Sequence, residues 1–137
     1  MTPSVTMSEY AIAKTLALMD DLLVALKLAA EAPDEEAVHK LRVAIRRFQQ
    51  ALRLFGQYLK AGGVEKIKAK LQVIMEIAGE LRNRDIAIGL TTEAGGNAIA
   101  LADQRAEYDQ HLATAVRPLV DPALARKWRR QLGLDIA

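Results

Sequence analysis

Apolar side chains recur every three or four residues through most of the chain, and this spacing restricts it to helices. The longest apolar stripe consists of Leu41, Ile45, Phe48, Leu52, Phe55 and Leu59. It predicts a helix that begins at Asp34 and ends at Gly62-Gly63, with a length on the order of 40 Å. No segment shows the alternation of apolar and polar residues that predicts a β-strand. We therefore predict an all-α fold.

Prolines, glycines and capping residues mark the ends of the other predicted helices. The first begins near Thr6, where Thr6-x-x-Glu9 forms a capping box, and ends at Ala32-Pro33. The others run from about 64 to 88, from about 97 to 116, and from Asp121-Pro122 to Gly133. Together they predict an antiparallel four-helix bundle with a short C-terminal helix, in a single domain over residues 1–137.

The chain has no cysteine, and no apolar run reaches the length of about 18 residues that a membrane-spanning helix needs. The absence of cysteine excludes disulfides, thiolate zinc sites and a cysteine nucleophile, and it fits a reducing compartment. Charged residues from Glu9 to Asp21 interrupt the apolar stretch near the N-terminus, so we predict no signal peptide. We expect a cytoplasmic protein that is not bound to a membrane.

Positive charge is concentrated in the middle of the chain. Residues 37–75 contain nine basic residues and one acidic residue, whereas the whole chain has a net charge of +2. Surface helices usually mix acids with bases, because like charges three or four residues apart destabilise a helix. Four bases of the acid-free stretch 37–64 are arginines, whose planar guanidinium groups bind phosphate in bidentate fashion. The pattern predicts a polyanion as the ligand.

The basic residues follow lines on two predicted helices. At 100° per residue, one line on the second helix contains His39, Arg42, Arg46 and Arg53. A line on the third helix contains Lys68, Gln72, Gly79 and Arg82. A glycine in the middle of a helix costs about 1 kcal/mol relative to alanine. We interpret Gly79 as a site of close helix–helix packing.

One acidic residue of the third helix, Asp85, occupies a position predicted to face the bundle. It continues the apolar series Leu71, Ile74, Ala78 and Leu81. A carboxylate at such a position needs a partner, and Arg82 or a base of the second helix could reach it. We predict that Asp85 orients a basic side chain and does not act as a general base.

No residue set predicts catalysis or a bound cofactor. The chain lacks a Walker-type glycine-rich loop, a Gly-x-Ser-x-Gly motif and a His-Glu-x-x-His motif. Its two histidines have neither a cysteine nor an acidic cluster that would complete a metal site. We expect no enzymatic activity, no cofactor and no metal.

Two segments resemble the signatures of a known family, the conserved-histidine α-helical domain or CHAD family. The segment Val38–Arg47 resembles the first signature, with one histidine and three arginines in register. The segment 78–86 resembles the second, a Leu-Gly-x-x-Arg-Asp-x-Asp-Val pattern, in which Ala78 replaces the leucine and Asn83 the first aspartate. The resemblance covers roughly residues 5–135.

The resemblance implies a helical protein that binds inorganic polyphosphate through a basic channel or groove. It also implies a possible location at polyphosphate granules. Domains of the family usually contain two four-helix units in one chain, packed about a pseudo-twofold axis, whereas this chain has one such unit. Either one unit suffices or two chains supply the halves, and we expect a homodimer.

The predicted polyphosphate contacts are His39, Arg42, Arg46, Arg47, Arg53, Lys68 and Arg82, with Lys40, Arg84 and Arg105 as weaker candidates. Two alternatives remain open. A single-stranded nucleic-acid binder would stack bases on aromatic side chains, but Phe48 and Phe55 lie on the apolar stripe and Trp128 is alone among bases. A small helical enzyme acting on an anionic metabolite ranks third. The basic line from His39 to Arg53 extends over about 21 Å, which is too long for one small substrate.

Overall fold

A computed structural model gives the structure of the protein and describes residues 6–134. Over these residues the regular structure is helical throughout, so the predicted all-α class is confirmed. The five α-helices are α1 (Met7–Glu31), α2 (Glu35–Leu54), α3 (Ala61–Glu93), α4 (Ile99–Val116) and α5 (Pro122–Leu132). Short 3-10 helices cover Gly56–Tyr58 and Arg117–Val120. The antiparallel direction of neighbouring helices and the single domain over 1–137 stay predictions.

Local capping interactions fix four of the ten α-helix ends where the sequence predicts them, whereas α3 runs from Ala61 to Glu93 and not from about 64 to 88. The Thr6 hydroxyl accepts a hydrogen bond from the Glu9 amide at 3.1 Å. The Asp34 carboxylate likewise accepts one from the amide of Ala37 at 2.8 Å. Gly133 ends α5 with a φ of 75°, a left-handed conformation that glycine adopts without steric cost. These ends are encoded within a few residues of each cap.

The predicted end of the second helix is wrong. Helix α2 stops at Leu54, and its twenty residues span about 30 Å. Gly62 and Gly63 lie instead in the first turn of α3. A Cβ atom on Gly63 would collide with the backbone of Gln131 in α5, so the glycine serves close packing between two helices.

The hydrophobic core contains side chains from all five helices in one cluster. Its largest members, each less than 2% exposed, include Met19, Leu22, Leu26, Leu41, Ile45, Phe48, Ile67, Leu71, Ile74 and Trp128. Leu112 and Val116 add the contribution of α4. None of the helices described between residues 6 and 134 is long and apolar enough to cross a membrane. Because the apolar side chains of α2 and α3 face this core, one face of each helix is left for the basic residues.

Candidate functional site

Helices α2 and α3 pack side by side, and basic residues of their two lines are close enough for Arg46 and Arg82 to act on Arg42. One ion pair links the two helices beside these bases: Arg82 Nη1 on α3 lies 3.5 Å from Glu35 Oε1 on α2. Glu35 lies on the same side of α2 as Arg42 and Arg46, by helical arithmetic. We call the surface between the two predicted lines, which contains Arg42, Arg46 and Arg82, the α2–α3 groove.

Arg42 is the central side chain of this groove. It is half-buried, and its buried Nε has no hydrogen-bond partner within residues 6–134. Burial lowers the pKa of Arg42, and the positive charges of Arg46 and Arg82 lower it further. Three guanidinium groups thus converge on one region. An uncompensated cation of this kind gains free energy when an anion binds beside it.

Gly79 leaves open space in the α2–α3 groove. A Cβ atom placed on Gly79 would have no heavy atom within 4 Å. The prediction that this glycine permits close helix–helix packing is therefore wrong. Gly79 precedes Arg82 by about one turn of α3, so the surface next to this arginine is open.

Three of the predicted contacts lie on a different side of α2. His39, Lys40 and Arg47 line a cavity of about 370 Å³ between α1 and α2. Lys40 also pairs with Glu36 at 3.1 Å. The predicted set is thus divided between two sides of one helix, with Arg42 and Arg46 toward α3.

Arg53 and Lys68 extend the α2–α3 groove away from its centre. Both side chains are exposed. On the wheels of α2 and α3 they continue the lines that contain Arg42 and Arg82. They are available for an extended ligand.

Asp85 is largely buried, but its partner differs from the predicted one. Its side chain is 8% exposed and accepts hydrogen bonds from Arg105 on α4, at 2.5 Å from Nε and 3.3 Å from Nη2. The same guanidinium donates to Asp109 at 2.7 Å and to the carbonyl oxygen of Pro33 at 3.0 Å. The hydrogen bond with Asp85 raises the pKa of Arg105, although burial opposes this. Neither Arg82 nor a base of α2 pairs with Asp85.

These contacts remove Arg105 and Arg84 from the candidate ligand contacts. The Arg105 guanidinium is engaged by two carboxylates and a carbonyl oxygen. Arg84 pairs with Glu80 and lies over the ring of Tyr108, 4.7 Å from its centroid. The i,i+4 spacing of Arg105 and Asp109 could have indicated this role, whereas the pairing with Asp85 across two helices has no local signal.

Over the described part of the chain, no three His, Cys, Asp or Glu side chains are grouped to hold a metal ion. Phe48, Phe55 and Trp128 are each at most 6% exposed. The α2–α3 groove therefore offers positive charge without these aromatic rings.

Comparison with known proteins gives one match. The family model described as CHAD domain matches residues 14–133, which is nearly the whole chain. No curated protein and no solved structure matches it significantly.

Proposed function

Because the chain belongs to the CHAD domain family, we propose that it binds inorganic polyphosphate in the α2–α3 groove. CHAD domains are associated with polyphosphate binding in general. The observation that carries the proposal for this chain is the half-buried Arg42, with an unpartnered Nε and two further cations acting on it. Phosphate oxygens would supply the missing acceptors and compensate the three charges.

Arg42, Arg46 and Arg82 form the centre of the proposed site, and Arg53 and Lys68 prolong it. From Arg42 to Arg53 the line extends over about 16 Å. A linear polymer of phosphates can follow such a line, whereas a small dianionic metabolite would contact only part of it. His39, Lys40 and Arg47 lie toward α1 and would contribute at the edge.

The Glu35 carboxylate is a weak competitor for Arg82. Both side chains of this pair are substantially exposed, 69% and 37% respectively. Exposed ion pairs contribute about 0–1 kcal/mol. A multivalent phosphate chain would displace Glu35 at little cost, which leaves Arg82 free to bind it.

The proposal is for binding without catalysis, in the cytoplasm and at polyphosphate granules. The groove residues are arginines and a lysine, whose side chains offer phosphate hydrogen-bond donors and positive charge but no hydrogen-bond acceptor to serve as a general base. Burial of Phe48, Phe55 and Trp128 argues against single-stranded nucleic acid, whose binders stack bases on exposed rings.

A pair of matched double variants tests the site. Arg42→Glu with Arg46→Glu should abolish binding of labelled polyphosphate in a fluorescence-anisotropy titration while helical circular dichroism is retained. The control is Arg126→Glu with Arg130→Glu, two exposed arginines with the same spacing on α5, which should lose much less. Equal losses from the two variants would contradict a defined groove. Competition by RNA of equal phosphate content separates polyphosphate from nucleic acid.

A further inference from the structure

Helix α1 has a second stripe of residues that the core does not cover. Its positions alternate by three and four residues, and we call it the outer stripe: Met7, Tyr10, Lys14, Ala17, Asp21, Val24 and Leu28. All seven are exposed. The buried side of the same helix consists of Ala11, Thr15, Met19, Leu22, Ala25, Leu26 and Ala29. A helix with one face in the core and a second patterned face in solvent has a surface suited to another helix.

The outer stripe is apolar at both ends. Met7 is 58% exposed and Tyr10 is 50% exposed near the start of α1, and Val24 and Leu28 are 60% and 43% exposed near its end. Each end of the stripe thus exposes two neighbouring apolar side chains, which mark an interaction surface more than a single exposed one does. At the centre is Ala17, whose small side chain lets another helix backbone approach closely.

Two opposite charges flank the centre of the stripe. Lys14 is three residues before Ala17 and Asp21 is four residues after it. Neither side chain forms an ion pair with any residue between 6 and 134. The order along the stripe is thus apolar, positive, small, negative, apolar.

We propose that the outer stripe binds the outer stripe of a second copy of this chain, with the two α1 helices running in opposite directions about a twofold axis beside Ala17. In a twofold contact, residue i of one copy meets residue j of the other and the reverse. The axis brings Lys14 of each copy to the height of Asp21 of the other, so two ion pairs form. Met7 then lies against Leu28, and Tyr10 lies near Val24.

The charges select this direction over the opposite one. Two α1 helices in parallel register would place Lys14 beside Lys14 and Asp21 beside Asp21, and like charges in contact are unfavourable. The paired stripes would extend over about 31 Å, from Met7 to Leu28. The surface thus carries its own determinants of register and direction.

A groove between α1 and α2 runs beside the outer stripe, and its lining supports the proposal that a helix binds there. It is lined by Tyr10, Lys14 and Asp21 together with Leu54, which is 71% exposed. Phe55 holds the Tyr10 ring edge-to-face with centroids 5.9 Å apart, so this aromatic ring is already oriented. An exposed leucine beside an ordered tyrosine adds apolar area from α2 to the contact.

The proposed dimer leaves the centre of the α2–α3 groove uncovered, whereas His39, Lys40 and Arg47, at the edge of the proposed site, line the same clefts as the outer stripe. Arg42 and Arg46 lie on the α3 side of α2, whereas the outer stripe lies along α1 and borders the opposite side of α2. Dimerisation and polyphosphate binding can therefore be measured separately. Loss of one does not entail loss of the other.

A charge-exchange series tests the pairing by sedimentation velocity or light scattering of the full chain. The natural chain should be a dimer at concentrations of tens of micromolar. Lys14→Asp and Asp21→Lys should each weaken the dimer by at least about tenfold in Kd, because each places two like-charged pairs in the contact. The double exchange should restore it. Asp103→Lys, an exposed change on α4, is the control and should leave the dimer unchanged.

The series also has outcomes that would overturn the proposal. A monomeric natural chain would do so, as would single variants that keep the dimer mass. A double exchange that stays monomeric while its helical circular dichroism matches the natural chain would also reject the pairing. Polyphosphate titration of the Lys14→Asp variant, expected to equal that of the natural chain, keeps this result separate from the fate of the α2–α3 groove.

Discussion

At the scale of single residues, the Arg105 guanidinium connects three parts of the chain. It joins α4 to Asp85 on α3 and to the carbonyl oxygen of Pro33 between α1 and α2. The side chains of Arg105 and Asp85 are 17% and 8% exposed. Charges held this far from water depend on one another, because removing one leaves the other without its counter-charge.

Asp85→Ala should therefore lower the stability of the fold. Breaking a buried ion pair typically costs about 3–5 kcal/mol, and Asp109 still neutralises Arg105 in part, so we expect about 3 kcal/mol. Urea denaturation followed by circular dichroism measures the change. Asp103→Ala, the loss of an exposed carboxylate on α4 that is outside the ion-pair network, should change stability by less than about 0.5 kcal/mol. Equal stability of the two variants would show that the Asp85–Arg105 pair contributes nothing.

The sequence could predict that Asp85 is enclosed, because its position follows from the helical repeat of Leu81 and the residues before it. It could not identify Arg105, since the two residues are on different helices and nothing local joins them. The predicted partners were Arg82, three residues away from Asp85, and the bases of the second helix, none of which pairs with it. Which side chains pair between two helices depends on how each helix is rotated about its axis. The apolar repeat determines only which side of a helix faces the core.

At the scale of the helices, two of the four glycines of α3 have opposite surroundings. Gly63 packs against the backbone of α5, where a Cβ atom would collide with Gln131. Gly79 faces open space. The same residue type thus permits close packing at one end of the helix and only reduces its intrinsic stability in the middle.

The two glycines predict opposite effects of alanine. Gly79→Ala should stabilise the protein by up to about 1 kcal/mol, because alanine is the better helix former and meets no obstacle. Gly63→Ala should destabilise it by more than about 1 kcal/mol, because α3 and α5 must move apart. Thermal unfolding of both variants gives the two signs. A destabilised Gly79→Ala variant would show that the space beside it is filled in solution.

Helix ends were predictable where a cap determines them and unpredictable where packing does. Asp34, Asp121 and Gly133 act through hydrogen bonds or backbone angles within a few residues. The pair Gly62-Gly63 looked like the end of a helix because glycine is common there. The structure instead requires a glycine here because α3 packs closely against α5. Since α5 is distant in sequence, the residues around Gly62-Gly63 do not indicate this contact.

At the scale of the whole molecule, the basic residues divide into two sides, and this division was not predictable. The sequence places His39 and Arg42 on one line of α2. Which of them faces α1 and which faces α3 depends on the arrangement of three helices. The structure puts His39 in the α1–α2 cavity and Arg42 in the electrostatic field of Arg82.

The salt dependence of polyphosphate binding should report the size of the site. If polyphosphate behaves as single-stranded nucleic acid does, each neutralised phosphate contributes about −0.7 to the slope of log K against log salt. Contacts from Arg42, Arg46 and Arg82 alone give a slope of about −2, and a longer site gives a steeper one. Arg82→Gln should reduce the slope by close to one contact. A slope near zero would contradict multidentate electrostatic binding.

The contact between α3 and α5 has a consequence for the timing of folding during synthesis. The Lys60 amide donates to the carbonyl oxygen of Leu132 at 3.1 Å, and α5 inserts Trp128, 1% exposed, into the core. At about 5–20 residues per second, the ribosome makes the roughly 70 intervening residues in several seconds. Throughout that interval α5 does not yet cover the first turn of α3 and the apolar residues near it. During this period the nascent chain is most exposed to chaperones and to aggregation. The burial of Trp128 changes its fluorescence, and this change would mark the end of the period.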